Sequence, residues 1–265
     1  MILVMVVAEN NMEFLFTSHF SLGQSILTLE DDKDKDGNEL IGKGPASIVS
    51  IARKHKLPYV NLVDTSMSGF IQAYENLSKY NIELRFGYKV CVCSDMNDKT
   101  EESINTESNV IIWCLNSNGY ADLVKIATKA ACDGFYYNPR IDWETLKTLW
   151  SNNLAISFPF YSSFIARNIL KYKSICFPDF SFTTPNFLVE NHDLPFDSII
   201  LNAINNFNSS LKFNTVQSKT CYYYKKEDLL KHQIIRCINN RTKTDKPGLD
   251  HYSVDNFCFL DTLDK

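Results

Sequence analysis

Alternating apolar and polar positions divide the chain into short strands and amphipathic helices. Glu13–Phe16 reads as a strand, and so does the apolar stretch 1–8 before it. Ile48, Ile51 and Ala52 share one helical face that ends before Pro58. Residues 60–63 form a brief apolar run that stops at Asp64 and a Ser-Gly turn. Phe70, Ala73, Tyr74 and Leu77 return to helical spacing, and 84–92 is a second β-rich run. Such a unit joins two parallel strands by a right-handed crossover. In a (βα) barrel the chemistry sits at the strands' carboxyl ends. The residues there are Asp64, Thr65 and Lys89.

The same reading predicts strands at 110–115, 154–160 and 187–190, and helices at 121–131, from Trp143, at 199–207 and at 229–238. Strands alternating with helices predict an α/β fold with a mostly parallel sheet. Two stretches read as loop insertions: the acidic, glycine-closed segment 31–44 and the polar segment 97–108, expected to be solvent-exposed. No linker stands out, so one domain over 1–265 is expected.

Composition changes this picture little. The 265 residues are 45% hydrophobic and 22% charged, an ordinary globular balance. A net charge of −4 speaks against a broad nucleic-acid footprint, although a local basic groove is compatible with it. The apolar start is too short to span a bilayer and lacks a basic leader, so no membrane attachment and a cytoplasmic location are expected. Eight cysteines show no zinc-module spacing, and Cys91 and Cys93 lie inside a strand pattern; all read as reduced thiols. Cys221 has no base nearby in sequence, which leaves it without a nucleophile's partner.

Several segments carry the residue types of chemistry. Asp32, Asp34 and Asp36 before Gly37 resemble the start of a calcium loop, but Lys43 replaces the closing bidentate glutamate, so a solvated loop is the expectation. Asp64 beside Thr65 and Ser66 reads as a helix cap. His192, between Glu190 and Asp193, reads as a hydrogen-bonded side chain. Tyr222, Tyr223 and Tyr224 before Lys225 and Lys226 combine rings and charge able to stack on bases, yet strand alternation favours burial for some of them. His232, Arg236, Arg241, Lys243 and Lys246 form a modest basic region, read as a solvated face or a contact for a partner or DNA.

Six segments, in order, resemble one family: Ser18-His-Phe-Ser-Leu22, Leu57-Pro-Tyr-Val-Asn-Leu-Val-Asp64, Asn118-Gly-Tyr-Ala-Asp-Leu-Val-Lys125, Gly134-Phe-Tyr-Tyr-Asn-Pro-Arg-Ile-Asp142, Phe187-Leu-Val-Glu-Asn-His-Asp-Leu-Pro195 and Lys225-Lys-Glu-Asp228. Together they resemble the PHP (polymerase and histidinol phosphatase) domain at the N-terminus of bacterial DNA polymerase III alpha subunits, from about Phe14 to Leu260. The resemblance implies a distorted, TIM-like (βα)7 barrel. Active members are metal-dependent phosphoesterases with clustered His, Asp, Glu and Cys ligands at the barrel mouth. Laid along this sequence, those ligand positions fall on Leu15, Thr17, Gln24, Thr65, Lys89, Asn109, Thr220 and Tyr222, and the cysteine expected near 158–160 is missing. Only Asp64 and His192 remain, with Lys89 where a cation would sit.

The resemblance therefore implies a catalytically inactive domain, with no cofactor and no metal site. Its role would be as a structural or protein-interaction component of a C-family replicative polymerase. Its partner would be that polymerase or another replication protein, with at most indirect DNA contact. The alternatives are a metal-dependent phosphoesterase or 3′–5′ exonuclease whose Mn, Zn or Mg site is rebuilt from Asp64, His192 and Asp193, and a polymerase mimic that inhibits a replication partner.

Overall fold

The computed structural model describes residues 12–30, 45–171, 174–244 and 254–260. The expected strand at 1–8, the 31–44 insertion and the calcium-loop candidates Asp32, Asp34 and Asp36 lie outside the described residues. Among the described residues there are eight strands: β1 (Glu13–Phe16), β2 (Tyr59–Asp64), β3 (Glu83–Cys93), β4 (Ser108–Cys114), β5 (Arg140–Asp142), β6 (Leu154–Phe158), β7 (Asn186–Val189) and β8 (Asn214–Cys221). Among the same residues seven helices alternate with them: α1 (Ile48–Lys54), α2 (Phe70–Ser78), α3 (Ser117–Cys132), α4 (Trp143–Leu149), α5 (Phe164–Leu170), α6 (Asp197–Leu211) and α7 (Leu229–Asn240). The ladder runs β2-β1-β8-β7-β6-β4-β3, and β2 also pairs with β3, so seven strands close on themselves while β5 adds to the end of β3. This is the α/β, TIM-like barrel that the resemblance implied. β4 is antiparallel to both β3 and β6.

The chain divides into two compact units. One comprises Gly87–Asn191 and Pro195–Ser218. Its core is aliphatic on β4 and β6, where Val110, Ile112 and Ile156 are buried, and α3, which packs on both strands, buries Leu123 and Ile126. It is aromatic further along. Phe158 stacks on Phe187 at 5.3 Å, Phe164 meets Phe207 edge-on at 5.1 Å, and Phe180 approaches Phe213 at 5.3 Å. Such ring pairs add about 0.5–1.5 kcal/mol each beyond their burial. Helix starts are set by side-chain caps: Asn116 accepts from the Gly119 amide, Asp142 from Thr145 and Ser163 from Ala166.

The other unit comprises Glu13–Phe86, His192–Leu194 and the chain from Lys219 onward. Parallel pairing of β1 with β2 sets its register, with Leu15 opposite Asn61 and Phe16 opposite Leu62. Ser47 caps α1 by accepting from the Val49 and Ser50 amides, and Ile48, Val49, Ile51 and Ala52 are buried. Ala73 and Leu77 of α2 are buried in the same unit, as expected from their spacing, whereas Tyr74 is exposed.

Three expectations need correction. β5, α5 and β8 are elements that the pattern did not mark. β8 hides itself because its buried positions include Ser218 and Lys219 rather than an apolar row. The 97–108 segment is not simply solvated: it contains a 3-10 turn, Glu101–Thr106, whose Ser103 is buried. The third correction concerns Asp64.

Candidate functional site

The register of β1 and β2 places the first site. Phe16 faces Leu62, so two residues further along each strand Ser18 meets Asp64. Asp64 is fully buried. Its Oδ1 accepts from the Ser18 amide at 2.8 Å and from the Ser21 hydroxyl at 2.7 Å, and its Oδ2 accepts from the Ser18 hydroxyl at 2.6 Å. Asp64 therefore caps no helix; α2 begins at Gly69 without a side-chain cap. It closes the 18–21 turn instead, because that turn brings three donors to the strand end. Burial raises its pKa, and the hydrogen bonds from Ser18 and Ser21 offset only part of that shift.

The neighbouring positions serve the same turn. The Thr65 amide donates to Ser21 Oγ at 2.9 Å. Leu15 and Thr17 are buried, and the Thr17 amide donates to the Cys221 carbonyl at 3.3 Å. Thr220 is half-buried in β8. Half-buried Gln24 offers its carbonyl to His232 Nε2 at 2.9 Å, which makes Nε2 the protonated nitrogen. His232 is fully buried, Nδ1 has no hydrogen-bond partner, and burial lowers its pKa to about 4.

Tyr222 and Tyr223 are both buried rather than alternating. They lie just past β8, between two backbones. The Tyr222 carbonyl accepts from the Ile26 amide, the Tyr222 amide donates to Phe257, and the Phe259 amide donates to Tyr223. The Tyr222 ring stacks on His232 at 5.3 Å and on Phe257 at 5.4 Å. Tyr224 is half-buried, and its hydroxyl lies 3.1 Å from His55 Nε2.

His192 is enclosed too. Its ring lies flat on Phe257, 3.7 Å between centroids, and Nδ1 is 3.1 Å from the Asn256 carbonyl. Asn256 Nδ2 returns bonds to the His192 carbonyl and to Asp193, which sits at φ 59°. Asp193 is thus a latch for this loop.

In the other unit, Lys89 is half-buried in β3 opposite Ile111, and Asn109 is half-buried opposite Cys91, its amide donating to the Ser162 carbonyl. The group that sequence reasoning missed is Arg140. It is fully buried, and each of its three nitrogens donates: Nε to the Gly134 carbonyl at 3.3 Å, Nη1 to Ser103 Oγ at 3.0 Å and Glu107 at 3.1 Å, and Nη2 to the Asp98 carbonyl at 2.9 Å. Arg167 completes the clasp on the 101–107 segment through the carbonyls of Ile104 and Glu107. The signal was available: Arg140 lies within the quoted Gly134–Asp142 motif, but a motif does not say that its arginine is buried.

A shared ion would need several free anionic or imidazole groups. Among the described residues no group of three or more His, Cys, Asp or Glu is placed to hold one. Asp64 has both oxygens committed to hydroxyl and amide donors, and such donors repel a cation. The residues present at these positions therefore do not fit a multi-cation centre. All eight cysteines are free thiols, and burial raises the pKa of Cys91, Cys93 and Cys176. No helix among the described residues is long and apolar enough to cross a membrane.

Comparison with known proteins gives this geometry a context. The family model described as "PHP domain" matches residues 43–179, a little more than half of the chain. The chain is 23% identical to a DNA polymerase III subunit alpha of Thermus aquaticus over 201 residues, covering 72% of this chain and 16% of that protein. It is 23% identical over 213 residues to the subunit of the same name from Borreliella burgdorferi, covering 75% and 18%. With that of Chlamydia muridarum it shares 29% over 102 residues, covering 37% and 8%. The chain spans about a sixth of the length of the first two relatives.

Proposed function

We propose a non-catalytic role for this chain, which belongs to the PHP domain family. It serves as a structural or protein-interaction component of a C-family replicative DNA polymerase, in the cytoplasm, without a metal cofactor. The relatives named above are DNA polymerase III alpha subunits, which supports the replication setting.

One observation carries the inactive reading: the carboxylate of Asp64 is sealed by Ser18 and Ser21. A phosphoesterase of this family needs its carboxylates free to share cations and to make a hydroxide. Here the acid is buried with its pKa raised, its lone pairs satisfied by neutral donors. His192 contributes packing and a backbone contact in the same unit. Leu15, Thr17, Gln24, Thr65, Lys89, Asn109, Thr220 and Tyr222, which stand at the resembling ligand positions, are not metal ligands of the usual kind.

The test joins metal analysis to affinity capture. Purified chain is expected to carry fewer than one tightly held Mn or Zn ion, to leave bis-p-nitrophenyl phosphate and 3′-labelled DNA uncleaved with either metal added, and to retain a polymerase or other replication protein from extract. Two or more tightly held ions with phosphodiester turnover would overturn the inactive reading. Capture of no replication protein would overturn the interaction reading.

A further inference from the structure

Two segments far apart in sequence bring cations together in the unit that carries Asp64. The first is the end of α1, where Arg53, Lys54, His55 and Lys56 stand in a row. From residue 40 to residue 63 the sequence has no aspartate or glutamate. The second is 224–226, Tyr-Lys-Lys, just past β8. They meet at Tyr224. Its hydroxyl lies 3.1 Å from His55 Nε2, and its ring centroid is 5.5 Å from the Lys54 ammonium and 6.0 Å from that of Lys225. Arg53 lies over Tyr80, 4.1 Å from that ring's centroid.

What these cations are paired with decides their use. Lys54, Lys56 and Lys225 are exposed, and among the described residues none of the three has an ion pair. Lys226 is held by Asp255 at 3.5 Å and Asp228 by Lys231 at 2.6 Å, which leaves Glu227 as the remaining acid of the second segment. Burial and the charge of Lys54 lower the pKa of His55, and no carboxylate among the described residues offsets them. The helix dipole favours cations at the end of α1 and so accounts for Arg53 and Lys54. It does not account for Lys56, beyond the cap, or for Lys225, on another segment. Two observations then name the ligand. No large hydrophobic residue of 45–69 or 219–229 is exposed, so neither a protein partner nor a membrane would find an apolar centre here. Both rings already carry cations, Tyr80 from Arg53 and Tyr224 from two lysines, and offer the bases of a single strand a poor stacking platform. What remains is a set of unpaired ammonium groups, which suits evenly spaced phosphates.

We propose that the end of α1 and the 224–226 segment form a contact for the sugar–phosphate backbone of duplex DNA, in which Lys54, Lys56 and Lys225 neutralise phosphates without reading sequence. The inference goes beyond the protein-interaction role proposed above and does not rest on it. A local basic contact of this size is compatible with the chain's net charge of −4, because phosphates respond to the nearest charges once salt screens the rest.

The test measures binding of a labelled 20-base-pair duplex to the intact chain by fluorescence anisotropy over a series of salt concentrations. Affinity should fall with salt at a log–log slope of about −3, set by three phosphates, and a duplex of unrelated sequence should bind equally. In the Lys54→Gln, Lys56→Gln, Lys225→Gln chain, binding should weaken at least tenfold and the slope should move toward zero, with unchanged thermal unfolding. A second variant, Lys125→Gln, Lys129→Gln, Lys147→Gln, loses the same charge from α3 and α4 and should bind as the intact chain does. No duplex binding at low salt, equal loss in both variants, or undiminished binding by the first would overturn the proposal. So would tighter binding of a 20-base single strand, of polyglutamate, or of vesicles of phosphatidylcholine and phosphatidylserine. Capture of a replication protein is read separately: if the first variant captures one as the intact chain does, the interaction role stands whatever the duplex does.

Discussion

Asp64 and Arg140 are buried charges of opposite sign, one in each compact unit, and they are treated differently. Arg140 cannot give up its proton, so it is surrounded by acceptors: Glu107 as counter-ion, one hydroxyl and two carbonyls. Asp64 can be neutralised, and its nearest partners are two serines, with no cation bonded to it. Burial raises its pKa as a result. A permanently charged group forces the fold to build a paired cage. A group that can accept a proton permits a neutral nest. The first arrangement anchors the 98–107 segment, and the second closes a turn at a strand end, where the family resemblance puts catalytic chemistry.

Breaking the cage gives the largest expected effect. Arg140→Met leaves Glu107 largely buried without its partner, and stability should drop by about 3–5 kcal/mol, read from urea unfolding midpoints. Lysine at 140 should restore little, because it lacks the planar fork. Adding Glu107→Gln to Arg140→Met should recover part of the loss. Strict additivity of the two changes would mean that the pair is not coupled and the cage account is wrong.

His232 tests a third treatment, a buried base kept neutral. Its pKa is lowered from 6.5 to about 4 by burial. The unfolded chain therefore binds a proton below 6.5 that the folded chain refuses until about 4. Stability is fully present above 6.5 and falls as pH drops through this window, by up to about 3 kcal/mol. His232→Phe should flatten that stretch of the stability–pH curve. An equally steep curve in the variant would assign the loss to other groups.

The smallest effect sharpens the comparison most. Asp64 binds its proton more tightly when folded, so ionising it costs stability as pH rises above the ordinary carboxylate range. Asp64→Asn should cost about 1 kcal/mol at low pH, where both side chains are neutral, and the gap should narrow as pH rises. A gap that widens with pH would mean that the serines hold Asp64 as a stabilised anion. The two buried charges would then be handled alike.

Much of the fold was readable because its elements are patterned locally. The 13–16 strand, the β2-α2-β3 unit and the helix bearing Leu123 and Ile126 follow from apolar spacing alone. β5 has only three residues and β8 buries a serine and a lysine, so neither shows the period that the reading relies on. At the candidate site, Asp64 was visible as the acid ending an apolar run, but its assignment as a helix cap was wrong. Local reading sees Thr65 and Ser66, while the partners that bind it, Ser18 and Ser21, lie more than forty residues earlier.

The sequence by itself determined which stretches become strands and helices and the family to which they add up. Those properties belong to single residues and their near neighbours. Only the tertiary structure decided that Asp64 is sealed by hydroxyls, that Arg140 is caged, that Tyr222 and Tyr223 are both buried, and that Lys54 and Lys225 meet at the ring of Tyr224. Each of these depends on which distant backbone arrives beside a side chain, and burial and hydrogen bonding then determine its charge and its use.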